Sequence, residues 1–507
     1  MKFDNLRLIV VVRAMIVGLF VGIVISLFRW LVEHIRKITN VIYHLAGQNI
    51  LILILTIIGM FILTWVIAKI VAPNERVMGS GIPQVEGQLH GELEMEGWST
   101  LWRKFIATTL TLGTGVFLGR EGPSIQLGAS VGQVFAEQME LDKRDWRLLI
   151  ASGAAAGISA AFSAPIAGTM FVLEEVYHSL AVTLWISALS ASLTADLVSQ
   201  QAFGLKPILS IVNGSNVPPA FYWLVVVLGI IAGFAALLFQ KAILWQPTFY
   251  KIFSWIPRKY QAIVPFLLVI PVGIFFTDTL GGSNALIVQI TEHTPNLKIL
   301  LGILVLRFVF TLISYGSGLS GGIFFPILTI GSVFGAAFGM IAVKLGILPV
   351  EYVSDFVVFA MAGYFAGISK APFTAVLLLT EMVGSMSQLL PIALVALISY
   401  LTVDAFGGKP IYESLLERMV AGAKKVTGLY GRTDEIRVTI NPGGLLEENA
   451  VRDIEWPHGT LLTRVNRGQD ELVPDGDLIL HHGDVVTLVM DKSLRSNATH
   501  EIAAINN

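Results

Sequence analysis

Cysteine is absent and charge is scarce: of 507 residues, 14% are Asp, Glu, Lys or Arg, while 54% are hydrophobic. The first absence excludes disulfides, thiolate metal sites and thiol chemistry. The second excludes an ordinary soluble globule, which carries about 25% charged residues, and equally a disordered chain. A polytopic membrane protein built from apolar helices of ~20 residues is what remains. No basic run accompanies the net charge of −2, so nucleic acid is not an expected partner. No short hydrophobic stretch ends in a cleavage site either. The opening MKFDNLRLIVVVRAMIVG runs on past Phe28 and is expected to be a membrane helix rather than a cleavable signal.

What charge there is lies unevenly. Residues 424–507 carry 9 Lys+Arg and 13 Asp+Glu. That is about 26% of the segment against about 11% before it, the first figure being the soluble norm. Two regimes share the chain. A membrane body spans 1–420, a linker 421–434, and a soluble module 435–507. A dozen apolar runs lie between residues 8 and 406, several too short or too glycine-rich for a simple span. Broken or re-entrant helices are expected there, tolerated only where the irregular backbone faces protein or a wet cavity. Lys2, Arg7 and Arg13 at one end and Arg418, Lys424 and Lys425 at the other predict cytosolic termini.

The body repeats itself. Pro123-x4-Gly128-x3-Gly132 recurs 203 residues later as Pro326-x4-Gly331-x3-Gly335, and Ala164-Pro165…Glu174 recurs 207 later as Ala371-Pro372…Glu381. Halves of roughly 8–200 and 220–420 with interrupted helices point to a transporter whose site lies where the repeats meet. In the tail, alternation predicts strands at Ile436–Ile440, Thr460–Asn466, Glu471–Val473 and Val485–Met490, with helical spacing over Leu446–Ile454. Together these give an all-α membrane body followed by a small α+β domain.

Four stretches carry the chemistry: Gly79-Ser80-Gly81-Ile82-Pro83, Gly119-Arg120-Glu121-Gly122-Pro123, Gly321-Gly322-Ile323-Phe324-Phe325-Pro326 and Lys409-Pro410-Ile411-Tyr412-Glu413. Proline suits a first helical turn and glycine admits a close backbone approach. Several helix N-termini aimed at one spot make an anion site without a cationic side chain. Ser80 and Tyr412 would add neutral donors, which bind weakly enough to release a transported ion. Glu121, an acid opening a proline-initiated helix in a membrane, is costly unless used. Ionised, it mimics an anion at the helix end; protonated, it can leave. In Glu174-Glu175 adjacent side chains diverge by about 100°, so the two cannot share a role. Glu381 repeats Glu174, which suggests structure for that pair and leaves Glu175 as a proton relay. Lys104 reads either as a charge along the anion path or as a lysine snorkelling to the interface.

These motifs resemble the CLC family of chloride channels and chloride/proton antiporters, over about residues 8–420 and in the family's order. The resemblance implies two inverted repeats and a homodimer in the lipid bilayer with one pathway per subunit. It implies chloride held by Ser80, Tyr412 and the amides of Ile323 and Phe324. It makes Glu121 the external gating glutamate and Glu175 the internal proton-transfer glutamate. An acid at 175 favours an antiporter over a passive voltage- or proton-gated channel; Ser80 favours chloride over nitrate, and the intact GREGP disfavours fluoride. No cofactor or metal is implied, only chloride and protons as substrates. The tail's turns, including Arg467-Gly468 and Pro474-Asp475-Gly476-Asp477, resemble the C-terminal subdomain of RCK proteins (regulators of potassium conductance). Such modules dimerise and several bind cyclic di-AMP. By that likeness Leu461 and Leu462 would meet bases and Arg467 a phosphate, in a bacterial cytoplasmic membrane protein. An intramembrane serine protease is the competing class, since Gly318-Leu319-Ser320-Gly321 fits a nucleophile pattern. It needs a base near the serine, and no histidine lies between residues 294 and 457.

Overall fold

The computed structural model describes residues 5–205, 209, 217–422, 433–468, 470–491, 494, 498, 501–502 and 505–506. Most of the linker expected at 421–434 lies outside them. The chain divides into two compact units, Met1–Met419 and Val420–Asn507.

In the first unit seventeen helices are described. They begin with α1 (Asn5–Ala46), α2 (Ile50–Val71), α3 (Ile82–Leu89), α4 (Gly97–Gly113), α5 (Glu121–Gln138) and α6 (Lys143–Phe162). Then come α7 (Pro165–Phe171), α8 (Val182–Phe203), α9 (Tyr222–Tyr250), α10 (Ile263–Phe275), α11 (Asn284–Glu292) and α12 (Leu297–Gly316). The last are α13 (Phe324–Lys344), α14 (Val353–Ser369), α15 (Pro372–Val383), α16 (Leu389–Ala405) and α17 (Ile411–Gly422). Eight helical stretches among the described residues are long and apolar enough to cross a bilayer. α3, α7 and α15 are much shorter, so they are the broken pieces the glycine and proline content predicts.

The breaks repeat with the sequence. α6 ends on Ser163 in the left-handed region (φ 50°), and Ala164-Pro165 then opens α7. α14 ends on Lys370 (φ 58°), and Ala371-Pro372 opens α15. The two repeats also cap each other. Glu174, beyond α7, accepts from the N–H groups of Phe373 (3.2 Å) and Thr374 (2.7 Å) and from the Thr374 hydroxyl (2.7 Å) at the start of α15. Glu381, on α15, accepts from the N–H groups of Ile166 (3.1 Å) and Ala167 (2.7 Å) at the start of α7. The first turn of a helix has no internal carbonyl for its N–H groups, and a carboxylate there is stabilised by the helix dipole. What one half gives, the other returns, which is the structural role expected for Glu174 and Glu381. Truncating Glu381 to Ala is expected to cost about 1–2 kcal/mol and to lower the melting temperature of purified protein in detergent. An unchanged melting temperature would mean that the cap is dispensable.

The second unit is a four-stranded antiparallel sheet in the order β1-β4-β2-β3, with β1 (Thr433–Thr439), β2 (Thr460–Arg467), β3 (Asp470–Leu472) and β4 (Val485–Asp491). Val486, Leu488 and Met490 alternate inward along β4 and are buried with Ile436, Ile440, Leu446 and Val465, as a half-buried strand requires. The helix expected at Leu446–Ile454 is not formed. That stretch is a run of turns with one short 3-10 turn at Val451–Asp453. Gly443 (φ 83°) and Glu448 (φ 59°) take left-handed conformations, which an α-helix cannot contain. Leu446 is nevertheless buried, and Val451 and Ile454 pack beside it, so the apolar spacing served a turn-rich flap rather than a helix.

Candidate functional site

Three loops meet inside the first unit. The Gly79 N–H donates to Leu319 O (3.2 Å), and the Gly321 N–H returns a bond to Gly79 O (3.0 Å). Gly119 and Gly322 exchange N–H···O bonds of 2.7 and 2.8 Å. The stretches that open α3, α5 and α13 are thereby stitched into one knot of backbone. Gly81 holds φ 99° at the start of α3, where a side chain would be strained and would run into Gln126. Glycine at 122 lets the Ser80 hydroxyl lie directly over the first turn of α5, and Gly322 lies against Gly122. Behind the knot the Lys104 ammonium, fully buried, donates to Val77 O (3.0 Å) and Gly79 O (2.8 Å). Lys104 therefore does not snorkel. It fastens the Ser80 loop from behind.

Each expected site residue can now be placed. Ser80, Glu121, Ile323, Phe324 and Tyr412 are all buried. The Ile323 and Phe324 side chains pack into protein, the Phe324 ring against Phe162 (5.2 Å between centroids), Phe171 (5.6 Å) and Phe365 (4.6 Å). What these two residues offer to a ligand is thus the N–H groups that open α13. The Tyr412 ring, on α17, stands edge-on to Phe171 at 6.3 Å, and its phenol is within electrostatic reach of Glu121, Tyr315 and Glu175. Among the described residues, Ser80 Oγ, Tyr412 OH and Glu121 Oε2 are buried without a hydrogen-bond partner. A buried polar atom left unmatched costs ~1–3 kcal/mol. Two of the three are neutral donors and the third is a carboxylate.

Glu121 opens α5, with Arg120 Nε 3.8 Å from its Oε1. Arg120 also pairs with Glu33 (3.0 Å). Glu121 lines a cavity of about 250 Å³ together with Glu33, Arg36, Gly119, Arg120, Gly282 and Phe325. Glu175 lies apart from it, on a π-helical turn, Val172–Val176. Widened turns of this kind often mark functional sites. Here the turn sends Glu174 out to cap α15 and leaves Glu175 buried with Oε1 unpartnered. Glu86 and Glu413 stand within electrostatic reach of Glu175.

Glu86, Lys104 and Arg307 are residues whose importance the sequence reading missed or understated. Arg307 is fully buried, donates to Gly281 O (2.7 Å) and lies 4.2 Å from the Phe117 ring centre. It is the one charge inside the apolar run 300–315, a signal that could have found it. Glu86 falls in the first turns after Pro83, but only tertiary packing makes it buried.

In the tail, the candidate ligand residues separate. Leu461 is exposed, while Leu462, its neighbour on β2, packs onto the core; side chains alternate along a strand, so the two do not present one apolar face. Arg467 is not free for a phosphate in this conformation. Its Nη2 bonds Asp484 Oδ2 at 2.7 Å and Ile479 O at 2.8 Å. Burial alone would push the Asp484 carboxyl up, but the hydrogen bonds from Arg467 and from the His481 N–H outweigh it and hold that carboxyl below its usual value. Such a depressed group stabilises the fold above its unfolded value of about 3.9 and loses that contribution as pH falls through the folded value. Protection of the β2 and β4 amides against hydrogen exchange, taken relative to the intrinsic rate at each pH, is therefore expected to be steady near neutral pH in the full-length protein and to fall below about pH 4. Asp484→Asn is expected to bring the lower protection to neutral pH, at a cost of about 1–3 kcal/mol. The lower half of that range applies, because water screens the partly exposed Arg467. Equal protection in both proteins would refute the role.

An assembly of broken helices from two repeats, converging on unpartnered hydroxyls and a buried acid inside an apolar body, is that of an ion-translocating membrane protein. A family profile described as "Voltage gated chloride channel" matches residues 59–404, and a TrkA-C domain profile matches 436–498. The chain belongs to the voltage gated chloride channel (CLC) family, and its tail is an RCK-type module. It is 32% identical over 433 residues to a protein of Salmonella arizonae named H(+)/Cl(-) exchange transporter ClcA, covering 82% of this chain and 90% of that one. A Klebsiella pneumoniae protein of the same name is 34% identical over 353 residues, covering 68% and 74%. Among solved structures, a slow cyanobacterial Cl-/H+ antiporter superposes with a TM-score of 0.77 at 29% identity, covering 82% of this chain and 98% of that one.

Proposed function

We propose that the protein is a secondary active chloride/proton antiporter, a transporter and not an enzyme. The observation that carries this reading is the set of unpartnered buried atoms, Ser80 Oγ, Tyr412 OH and Glu121 Oε2, at a knot of helix N-termini. Chloride would be held by the two hydroxyls and by the N–H groups of Ile323 and Phe324. All of these are neutral, so a desolvated anion is bound without being trapped. Ionised Glu121 competes with chloride for the positive end of α5. Protonated, it has no charge to hold it there and swings into the cavity it lines while chloride passes. Its proton is exchanged inward with Glu175, with Tyr412 between the two paths. The exchangers among the relatives support coupling over a passive channel.

We place the protein in a bacterial cytoplasmic membrane as a homodimer, with both termini and the tail in the cytosol. The tail is proposed to tune transport on binding a ligand such as cyclic di-AMP. Leu461 would meet it directly, and Arg467 would first have to leave Asp484. One experiment tests the whole reading: paired chloride and proton fluxes of the purified protein in liposomes, with and without cyclic di-AMP. Coupled counter-flow is the expected result. Chloride movement without protons would make the protein a channel, and flux indifferent to the dinucleotide would remove it as the regulator.

A further inference from the structure

The exchange reading leaves one link open: how protons reach Glu175, which is buried. The acid nearest to an answer is Glu86, on α3, which packs against the π-helical turn. Glu86 is itself buried and its Oε2 has no hydrogen-bond partner among the described residues. Two buried carboxylates in electrostatic contact cannot both be ionised cheaply, so the pair favours sharing a proton that has to come from elsewhere. Three residues beyond Glu175 stands His178. Its Nε2 is 3.8 Å from Glu86 Oε1, and 41% of its side chain is open to solvent. The His90 ring lies 5.8 Å from the His178 ring. A cavity of about 470 Å³ is lined by the residues on either side of His178, Tyr177 and Ser179, together with Arg147 and Thr183.

We propose that His178 is the proton-entry residue of the exchanger, passing protons from water to Glu86 and through it to Glu175. The inference rests on the antiport reading above. The remaining charged or titratable groups facing these three are Glu413 on α17, Glu92 beyond α3, and Glu174. Glu413, Glu92 and Glu174 are acids, and with Glu86 they offset Arg147 of α6, the cation that lines the cavity beside His178. An imidazole suits the position because it titrates near neutral pH and has two distinct ring nitrogens. A proton taken from water on Nδ1 is matched by release of the Nε2 proton to Glu86 Oε1. The ring, left as the Nδ1–H tautomer, resets when Nε2 takes a proton from water and Nδ1 returns one to water. No net charge stays on the side chain over the cycle. The backbone supports a purpose as well: His178 sits at φ 51°, a conformation uncommon outside glycine, asparagine and aspartate, and one in which histidine too is enriched.

The test is His178→Asn, since asparagine accepts that backbone conformation but carries no titratable group. Full-length wild type and variant are compared in liposomes by simultaneous chloride and proton flux, across pH 5.5–8.5 on the His178 side, with and without added imidazole. Wild type is expected to couple the two ions. The variant is expected to keep chloride flux, which shows it is folded, and to lose proton flux by about tenfold or more at pH 7.5. The deficit is expected to shrink below the ordinary imidazole value of about 6.5 and to be restored in part by imidazole. His178→Gln, a second neutral replacement, is expected to behave alike, so that one poorly folded variant does not decide the matter. A wild type that moves no protons overturns the antiport reading and this proposal with it. A coupled wild type with both variants unchanged in proton flux and pH profile overturns the entry role alone.

Discussion

Glu121→Gln is expected to carry chloride at or above the wild-type rate while proton flux falls to the leak, a loss of about a hundredfold or more. The substitution keeps volume and shape at the start of α5 and removes one thing, the capacity to lose a proton. In the wild type the carboxylate is buried, with Arg120 Nε at 3.8 Å and Oε2 unpartnered. Burying an ionised carboxylate costs several kcal/mol, and the α5 dipole returns at most about 2 kcal/mol of it. In the proposed mechanism ionised glutamate is held in place by the same N-terminal field that would hold chloride, so the two would exclude each other. A neutral amide gives up that competition and resembles the protonated state permanently. Simultaneous chloride-electrode and pH-electrode traces on proteoliposomes decide it. A variant that still counter-transports protons would show that the coupling proton travels without Glu121.

Much of this site could be read in the sequence because its parts are local. A proline at a first turn, a glycine before it and an acid between them specify a helix N-terminus wherever the chain goes, and Glu121, Ile323 and Phe324 open helices as their neighbours dictate. The Glu174/Glu381 correspondence was legible for a different reason. A duplicated chain must satisfy the same helix ends twice, so position in the repeat predicted a shared role. Long-range packing was not legible. Lys104, a surface-like residue by spacing, is buried because carbonyls from Val77 and Gly79 converge on it. Glu86 became informative only beside His178 and Glu175, which are far from it in sequence. In the tail, the periodicity of Leu446–Ile454 was sound about which side chains go inward and mistaken about the backbone, because a left-handed Glu448 lies in the middle. Likewise Leu461 and Leu462 looked like one apolar face until strand alternation, with the register shift between Leu462 and Arg464, set them apart.

The glycines of the repeated Pro-x4-Gly-x3-Gly pattern carry the largest expected structural effect. Gly128 and Gly132 of α5 lie flush against α6. A Cβ at 128 would strike the carbonyl of Gly153, and one at 132 that of Leu149; from the other side, 153 faces Gly128 O and 157 faces Ser124 O. In the second repeat Gly331 and Gly335 meet the backbone of Met361 and Phe356 on α14 in the same way. Small residues matter more in a membrane than in water, since lipid offers no hydrophobic drive to hold helices together and close contact has to supply it. The atoms in the way at 128 are backbone, which cannot swing aside, so Gly128→Val has to push α5 off α6. Overpacking of this kind costs about 1–3 kcal/mol even where neighbours can adjust, and here it also moves the helix whose first residue is Glu121. The expected result is protein that melts well below wild type or aggregates in detergent, with chloride flux lost along with proton flux, unlike Glu121→Gln. Gly302 is the control, a helical glycine whose Cβ would meet nothing within 4 Å. Gly302→Ala is expected to leave transport intact and to stabilise α12 by up to about 1 kcal/mol, because alanine restricts the unfolded chain and favours helix. Size-exclusion profiles after heating, read beside flux for the two variants, separate the outcomes. If Gly128→Val melts with the wild type, close approach of α5 and α6 is not what positions the gate.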